Sequence, residues 1–200
     1  MQEPQLIVFE GVDAAGKSAV SARYLSALGN LGIPAKLLTF PGKAPDTLGK
    51  LVYTLHHDAP SVGVKHYTPA SLQALHIAAH LDAIETVIIP SLEAGHTIVL
   101  DRYWWSTWVY GICGGARPEI LESLIEAERL AWGRWQPNLL FHLTRTSPLR
   151  EEPAEMWTKL QSEYRVLASR EMDKYPIREL SNDGDLEETV SEAIAESHGK

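Results

Sequence analysis

Residues Gly11-Val12-Asp13-Ala14-Ala15-Gly16-Lys17-Ser18 spell a complete G-x-x-x-x-G-K-S directly after the apolar run Leu6 to Phe9 and directly before a helix-compatible segment, Ala19 to Leu28. A phosphate cradle of this kind needs a strand that feeds a tight loop which then opens a helix, so both spelling and position agree. Successive backbone N–H groups and the positive end of the following helix face one small volume. This makes Gly11, Ala14, Ala15, Gly16, Lys17, Ser18 and Ala19 the candidate phosphate contacts. Lys17 is placed to reach the outer phosphates and Ser18 to ligate Mg²⁺. The motif implies phosphate or nucleotide binding without distinguishing a kinase from a GTPase.

The rest of the chain is sized to carry that loop. Its 200 residues suit one α/β domain with a real core, and no linker, repeat or low-complexity segment divides residues 1–200. Lys and Arg number 18 against 26 acidic residues, a formal net charge of −8, which argues against general binding to a nucleic-acid backbone. The single cysteine, Cys113, excludes an intrachain disulfide framework and a Cys-rich metal site, so the expectation is a cytoplasmic protein. Met1-Gln2-Glu3-Pro4 lacks a basic leader region, and the apolar run behind it is too short to span a bilayer. No membrane partner is expected.

Strand-like and helix-like segments alternate, the pattern of a mostly parallel sheet covered on both faces. Strands are expected at about Gln5 to Glu10, Ala35 to Thr39, Ile98 to Leu100, Leu139 to Leu143 and Ile177 to Leu180. Helices are expected after the phosphate loop, around Thr47 to Leu55, from Pro69, from about Trp105, over Pro118 to Leu130, over Pro153 to Met172, and over Leu186 to Ala195. Pro90 is expected to shorten or bend the long helix opened by Pro69.

A second constellation stands at the end of the third strand: Asp101-Arg102-Tyr103, followed by Ser106, Thr107 and Tyr110. Carboxyl ends of parallel strands carry the ligand site, which puts Asp101 on the edge of the phosphate loop. There it can hold Mg²⁺ while Arg102 reads a phosphate. A plain strand-end salt bridge is the alternative.

Phe9-Glu10-Gly11-Val12-Asp13-Ala14-Ala15-Gly16-Lys17-Ser18 resembles the opening of thymidylate kinases. The similarity continues in order through Phe40-Pro41-Gly42-Lys43, the helix before Pro90, Asp101-Arg102-Tyr103 with Ser106 and Tyr110, a helix containing Tyr164, and the final strand and helix. The resemblance implies an α/β P-loop kinase fold with a five-stranded parallel sheet flanked by helices on both faces. It further implies ATP and Mg²⁺ as the donor system, a deoxynucleoside monophosphate as acceptor, and a homodimer.

Carried over residue by residue, the resemblance assigns Asp13 to the acceptor's sugar or phosphate, Lys43 and Arg102 to its phosphate, and Phe40 and Pro41 to the wall of its pocket. Ser106 and Thr107 are expected to line the base pocket, and Tyr110 to lie near the 2′ carbon. Asn182, after the last strand, falls where relatives pass the adenine of ATP; capping the Leu186 helix is the alternative for that turn.

Two departures stand out. The family's base-stacking phenylalanine and base-binding arginine align with Ile77 and Leu81, so an altered preference for dTMP is expected. Trp104, Trp105, Trp108 and Trp132 are candidates for restoring the stacking, or else core residues. The lid is short, about residues 144–153, and holds Arg145 and Arg150, the candidates for stabilising the transferring phosphoryl group. The reaction expected is phosphorylation of dTMP or a related pyrimidine nucleotide; the alternatives are a kinase of a nucleoside or modified nucleotide, and a catalytically impaired P-loop binding protein.

Overall fold

The computed structural model describes residues 3–199, so Met1 and Gln2 of the non-basic start, and Lys200, lie outside it. Strand β1, Leu6–Glu10, is buried along its whole length, as are β3, Thr97–Asp101, and β4, Leu139–Thr144. Continuous burial is what central strands of a parallel sheet covered on both faces require, and their near-unbroken apolar sequences follow from it. The edge strands β2, Ala35–Thr39, and β5, Ile177–Ser181, carry exposed positions. All four pairings are parallel, in the order β2-β3-β1-β4-β5.

The register brings the functional ends together. Phe9 pairs with Asp101 on one side and Phe141 on the other, and Thr39 pairs with Asp101. Backbone bonds from Arg102 to Phe9 (3.0 Å) and from Phe40 to Asp101 (3.0 Å) continue this alignment past the strand ends. The segments following β1, β2 and β3 therefore converge on one edge.

Helix α1, Lys17–Asn30, follows the phosphate loop and packs against α8, Leu186–His198. The buried ring of Tyr24 meets Phe9 edge-on at 5.2 Å, while Phe9 stacks on Phe141 at 5.1 Å. The remaining helices are α2, Leu48–His57; α3, Pro69–Ala83; α4, Ile89–Glu93; α5, Trp104–Cys113; α6, Pro118–Trp132; and α7, Ala154–Glu171. Helix α3 packs against α2, α5 and α6, and α5 against α7.

Helix α3 begins where its chemistry dictates. Thr68 Oγ1 accepts from the Ser71 amide (3.1 Å) and Ser71 Oγ from the Thr68 amide (3.0 Å), with Pro69 at the first helical position. The α-helix stops at Ala83, but the helical path continues through Pro90. A π-helical turn, Ile84–Ile88, precedes it, and the wider turn takes up the register change forced by a residue with no N–H. The resulting run Pro69–Glu93 is long and apolar enough to cross a membrane by length and composition. Here Leu72, Ile77, Ile84, Ile88 and Leu92 are buried in the fold. Apolar residues all round are also the signature of a core helix.

Candidate active site

Phosphate cradle. Gly11 (φ 147°) and Gly16 (φ 94°) adopt conformations that side chains resist. Space excludes a side chain too: a Cβ at Gly11 would lie 2.4 Å from the Leu143 carbonyl oxygen, and one at Gly16 2.2 Å from Asn182 Nδ2. Asn182, 5% exposed, fastens the loop from β5 by donating to the Ala15 carbonyl at 2.8 Å. From the lid, the Leu149 amide donates to the Ala14 carbonyl at 2.9 Å. From α7, Trp157 Nε1 donates to the Asp13 carbonyl at 2.8 Å.

Lys17 is 5% exposed; its Nζ donates to the Val12 carbonyl (2.9 Å) and lies 3.9 Å from Asp13. Burial, and then the charge of Arg102, pull its ammonium down to about 8 against the attraction of Asp13 and Asp101. Ser18 Oγ donates to Asp101 Oδ2 at 2.6 Å. Asp101 is 2% exposed, and its second oxygen, Oδ1, is buried without a partner. Among the described residues no group of three or more His, Cys, Asp or Glu side chains forms a metal site by itself. A hydroxyl beside a buried carboxylate with one free oxygen nevertheless suits a hard cation that takes its remaining ligands from phosphate and water.

Arg102 joins the cradle to the neighbouring cavity. It sits at φ 77°, pairs with Asp13 through Nη2, and donates from Nη1 to Ser106 Oγ at 2.9 Å. Burial pushes the Asp13 carboxyl up, but the charges of Arg102 and Lys17 outweigh it and hold the group at about 2. Tyr110 Oη accepts from the Asp13 amide at 3.0 Å, and the Arg102 guanidinium lies 5.7 Å from the Tyr110 ring centre. Ser106 and Tyr110 thus share one face of α5, as their four-residue spacing requires.

Glu10 stands behind these residues, and sequence reading noted it only as a letter of the motif. Fully buried, it accepts from the amides of Tyr103 (2.7 Å) and Ser106 (2.9 Å) through one oxygen. The other accepts from Ser106 Oγ (2.9 Å), Tyr164 Oη (3.2 Å) and the Gly11 amide (3.2 Å). Helix α5 has no side-chain cap of its own, so Glu10 satisfies its first amides from across the sheet edge. Burial raises its pKa above the usual carboxylate value.

The cradle opens into a cavity of about 410 Å³, where Phe40, Pro41, Lys43, Arg102, Ser106, Thr107 and Tyr110 meet Asp13 and Lys17. Lys17, Lys43, Arg102 and Arg150 face it against Asp13 and Asp101, so an acidic protein presents a basic hollow. Helix α2 adds Tyr53, His56 and His57, which the sequence did not single out. Lys43 Nζ lies 4.8 Å from the Tyr53 ring centre, and His57 stacks on the same ring at 4.1 Å.

One placement corrects the sequence reading, and another decides between its alternatives. Ile77 belongs to the core, 3% exposed, and Leu81 packs beside it; neither lines the cavity. Helix α3 instead presents Gln73, His76 and His80 there, one residue earlier in register. A helix apolar on nearly every side carries no periodic signal to say which stripe faces the ligand. For the tryptophans the structure selects the core alternative. Trp104, Trp105, Trp108 and Trp132 are all core residues and none lines the cavity. His76 Nε2 lies 3.2 Å from His56 Nδ1, and burial with His80 and His56 nearby pulls its pKa down to about 2, so its ring is neutral.

The lid arginines separate as well. Arg150 faces the cavity and pairs with Glu152 at 2.7 Å. Arg145 does not line it; its guanidinium donates to the carbonyls of Asn182 and Ser147, tying the lid to β5.

Comparison with known proteins agrees with this arrangement. The family model for thymidylate kinase matches residues 9–171. A thymidylate kinase of Chlorobium chlorochromatii is 34% identical over 138 residues, covering 69% of this chain and 59% of that protein. A probable thymidylate kinase of Thermococcus kodakarensis is 34% identical over 143 residues, covering 68% of this chain and 64% of its own length. The chain thus spans less than two thirds of the length of these curated relatives. The crystal structure of a thymidylate kinase from Ehrlichia chaffeensis superposes with a TM-score of 0.75 at 19% identity, over 96% of this chain and 98% of the other, and so shares the fold. With phosphate loop, Asp101-Arg102 and the adjoining cavity on one sheet edge, and a family model matching 163 of 200 residues (171 − 9 + 1), this chain belongs to the thymidylate kinase family.

Proposed function

We propose that the chain transfers the γ-phosphoryl group of ATP to the 5′-phosphate of a deoxynucleoside monophosphate, dTMP or a related pyrimidine nucleotide. The observation that carries this reading is Arg102. It leaves β3 beside Asp101, pairs with the phosphate-loop Asp13, and faces the same cavity as Lys43 and Tyr110. One guanidinium thereby borders both the donor cradle and an acceptor-sized hollow.

The acceptor phosphate is already a nucleophile, so the protein's work is positioning and charge. Lys17 moves from the Val12 carbonyl onto the phosphates; Arg102 and Lys43 hold the acceptor phosphate, and Arg150 approaches the transferring group from the lid. Ser18 and Asp101 are the residues that would hold Mg²⁺, which when bound neutralises charge on the donor phosphates. Phe40, Pro41, Ser106, Thr107 and Tyr110 shape the nucleoside pocket. Asn182 borders the donor side through the phosphate loop. The bulk of Tyr110 near the sugar disfavours a ribose hydroxyl.

We read residues 1–200 as one kinase domain with a short lid over about 144–153, cytoplasmic and homodimeric, and with no nucleic-acid or membrane partner. The lone cysteine and the net charge of −8 support the compartment and the absence of nucleic acid. Product analysis with ATP, Mg²⁺ and a panel of nucleosides and monophosphates tests the activity. Diphosphate formed from a deoxynucleoside monophosphate is the expected result. Monophosphate formed from a nucleoside, or ATP binding without turnover on any acceptor, would overturn it.

A further inference from the structure

Helix α3 sends into the cavity two buried polar groups that phosphoryl transfer does not need. Gln73 is 5% exposed as a residue and lines the cavity, where its carboxamide is open to whatever occupies it. Room for the side chain is made by Gly111: a Cβ there would stand 3.2 Å from Gln73 Cγ and 2.7 Å from Leu121. The Gln73 amide atoms are not enclosed by protein but reach the cavity, so a ligand seated there can take the place of water on them.

His80 lies two turns further along α3 and is 2% exposed. Its Nδ1 is 2.7 Å from Glu128 Oε2, and its ring stacks on Phe40 with centroids 3.9 Å apart and planes 12° from parallel. Glu128 is itself fully buried and accepts from Trp132 Nε1 at 3.1 Å. Both of the ring's freedoms are thereby used: stacking sets its plane, and the carboxylate sets its rotation within that plane. With Nδ1 taken, Nε2 is the nitrogen left to face the cavity. Preorganised groups of this kind favour recognition because little freedom is lost on binding.

We propose that Gln73 and the Nε2 edge of His80 read the hydrogen-bonding edge of the acceptor's base, with Glu128 as the positioning residue that orients His80. This rests on reading the cavity as the site of a nucleoside monophosphate. An amide supplies a donor and an acceptor side by side, and the imidazole nitrogen adds one fixed point. Together they match a planar base edge with adjacent donor and acceptor, whereas the basic residues at the cradle match only the phosphate.

The test is calorimetric binding of dTMP, dUMP, dCMP, dGMP, dAMP and base-less 2-deoxyribose 5-phosphate, with turnover measured beside it. Gln73→Leu removes the amide at similar volume. The expected result is that the ratio between the best- and worst-bound base shrinks at least tenfold, while affinity for deoxyribose phosphate stays within about threefold. The paired variant His80→Asn with Glu128→Gln avoids stranding a buried carboxylate and should do the same. Glu128→Gln alone keeps an acceptor for Nδ1 and should preserve the base ratios that Glu128→Ala loses. Unchanged ratios in Gln73→Leu and in the paired variant, or an equal loss for the base-less sugar, overturn the proposal. Wild-type protein that discriminates bases in binding yet forms no diphosphate would sink the kinase reading and leave this one standing. Wild-type protein that binds none of the monophosphates overturns both.

Discussion

Ser18 Oγ lies 2.6 Å from Asp101 Oδ2, a bond across 83 residues that ties the start of α1 to the end of β3 and leaves Asp101 Oδ1 buried and unpaired. An orphaned carboxylate oxygen beside a hydroxyl is a strong demand for a cation. Asp101→Asn keeps the shape but removes the charge. Transfer should fall about 10²-fold or more for every accepted base, with the Mg²⁺ concentration needed for half-maximal rate raised. Magnesium titration with two acceptor bases checks this; a change in base preference at constant maximal rate would place Asp101 elsewhere in the mechanism.

Lys17→Ala should abolish most turnover, by roughly 10²–10³-fold, because it deletes a charge aimed at the transferring group. The fold should survive. Lys17 is buried and its ammonium is disfavoured by that burial, so removing it relieves a desolvation cost. Circular dichroism, melting temperature and kcat of the purified variant decide the matter; near-wild-type kcat would defeat the assignment.

Glu10→Gln puts an amide NH₂ among the donors Gly11 N, Tyr103 N, Ser106 N and Tyr164 Oη. One or more loses its acceptor, at a cost of about 1–3 kcal/mol. Since Tyr103 follows Arg102 directly and Ser106 accepts from it, the guanidinium should lose its aim. The expected readout is a kcat loss larger than the stability loss converts to. Equal wild-type kcat in a destabilised protein would leave Glu10 a purely structural anchor.

The Asp13–Arg102 pair has a pH signature. A carboxyl held at about 2, below its ordinary 3.8, contributes stability above pH 4 that is lost as pH falls from about 4 towards 2. Asp13→Asn should therefore flatten the pH dependence of the urea midpoint in that window while leaving the neutral to mildly basic region parallel to wild type. Identical acid limbs would show that the pair does not form in solution.

Much of the fold was legible because its determinants are local. Apolar runs bounded by turns located all five strands, and β2 was bounded as Ala35 to Thr39 from sequence as well as in the structure. Pro69 at the first helical position marked the start of α3. Pro90 marked the shortening of α3, which stops at Ala83, whereas the π-helical turn that carries the path on to the proline depends on what packs around that turn. Ile77 and Leu81 misled: His76, His80 and their apolar neighbours differ in direction by a fraction of a turn, and an all-round apolar helix leaves that direction open.

By itself the sequence determined the phosphate loop, its strand and helix, and the alternation of strands with helices, since glycine conformations, hydrophobic runs and turn chemistry act over a few residues. Tertiary structure alone decided that His76, His80 and Gln73 together line the cavity beside the phosphate loop, that Tyr53 and His57 join Lys43 in its lining, and that Glu10 caps a helix 93 residues away. These depend on how whole elements pack. The face a helix turns to its neighbours is set by the sum of all its contacts, and a carboxylate's partners by what the sheet brings to its edge.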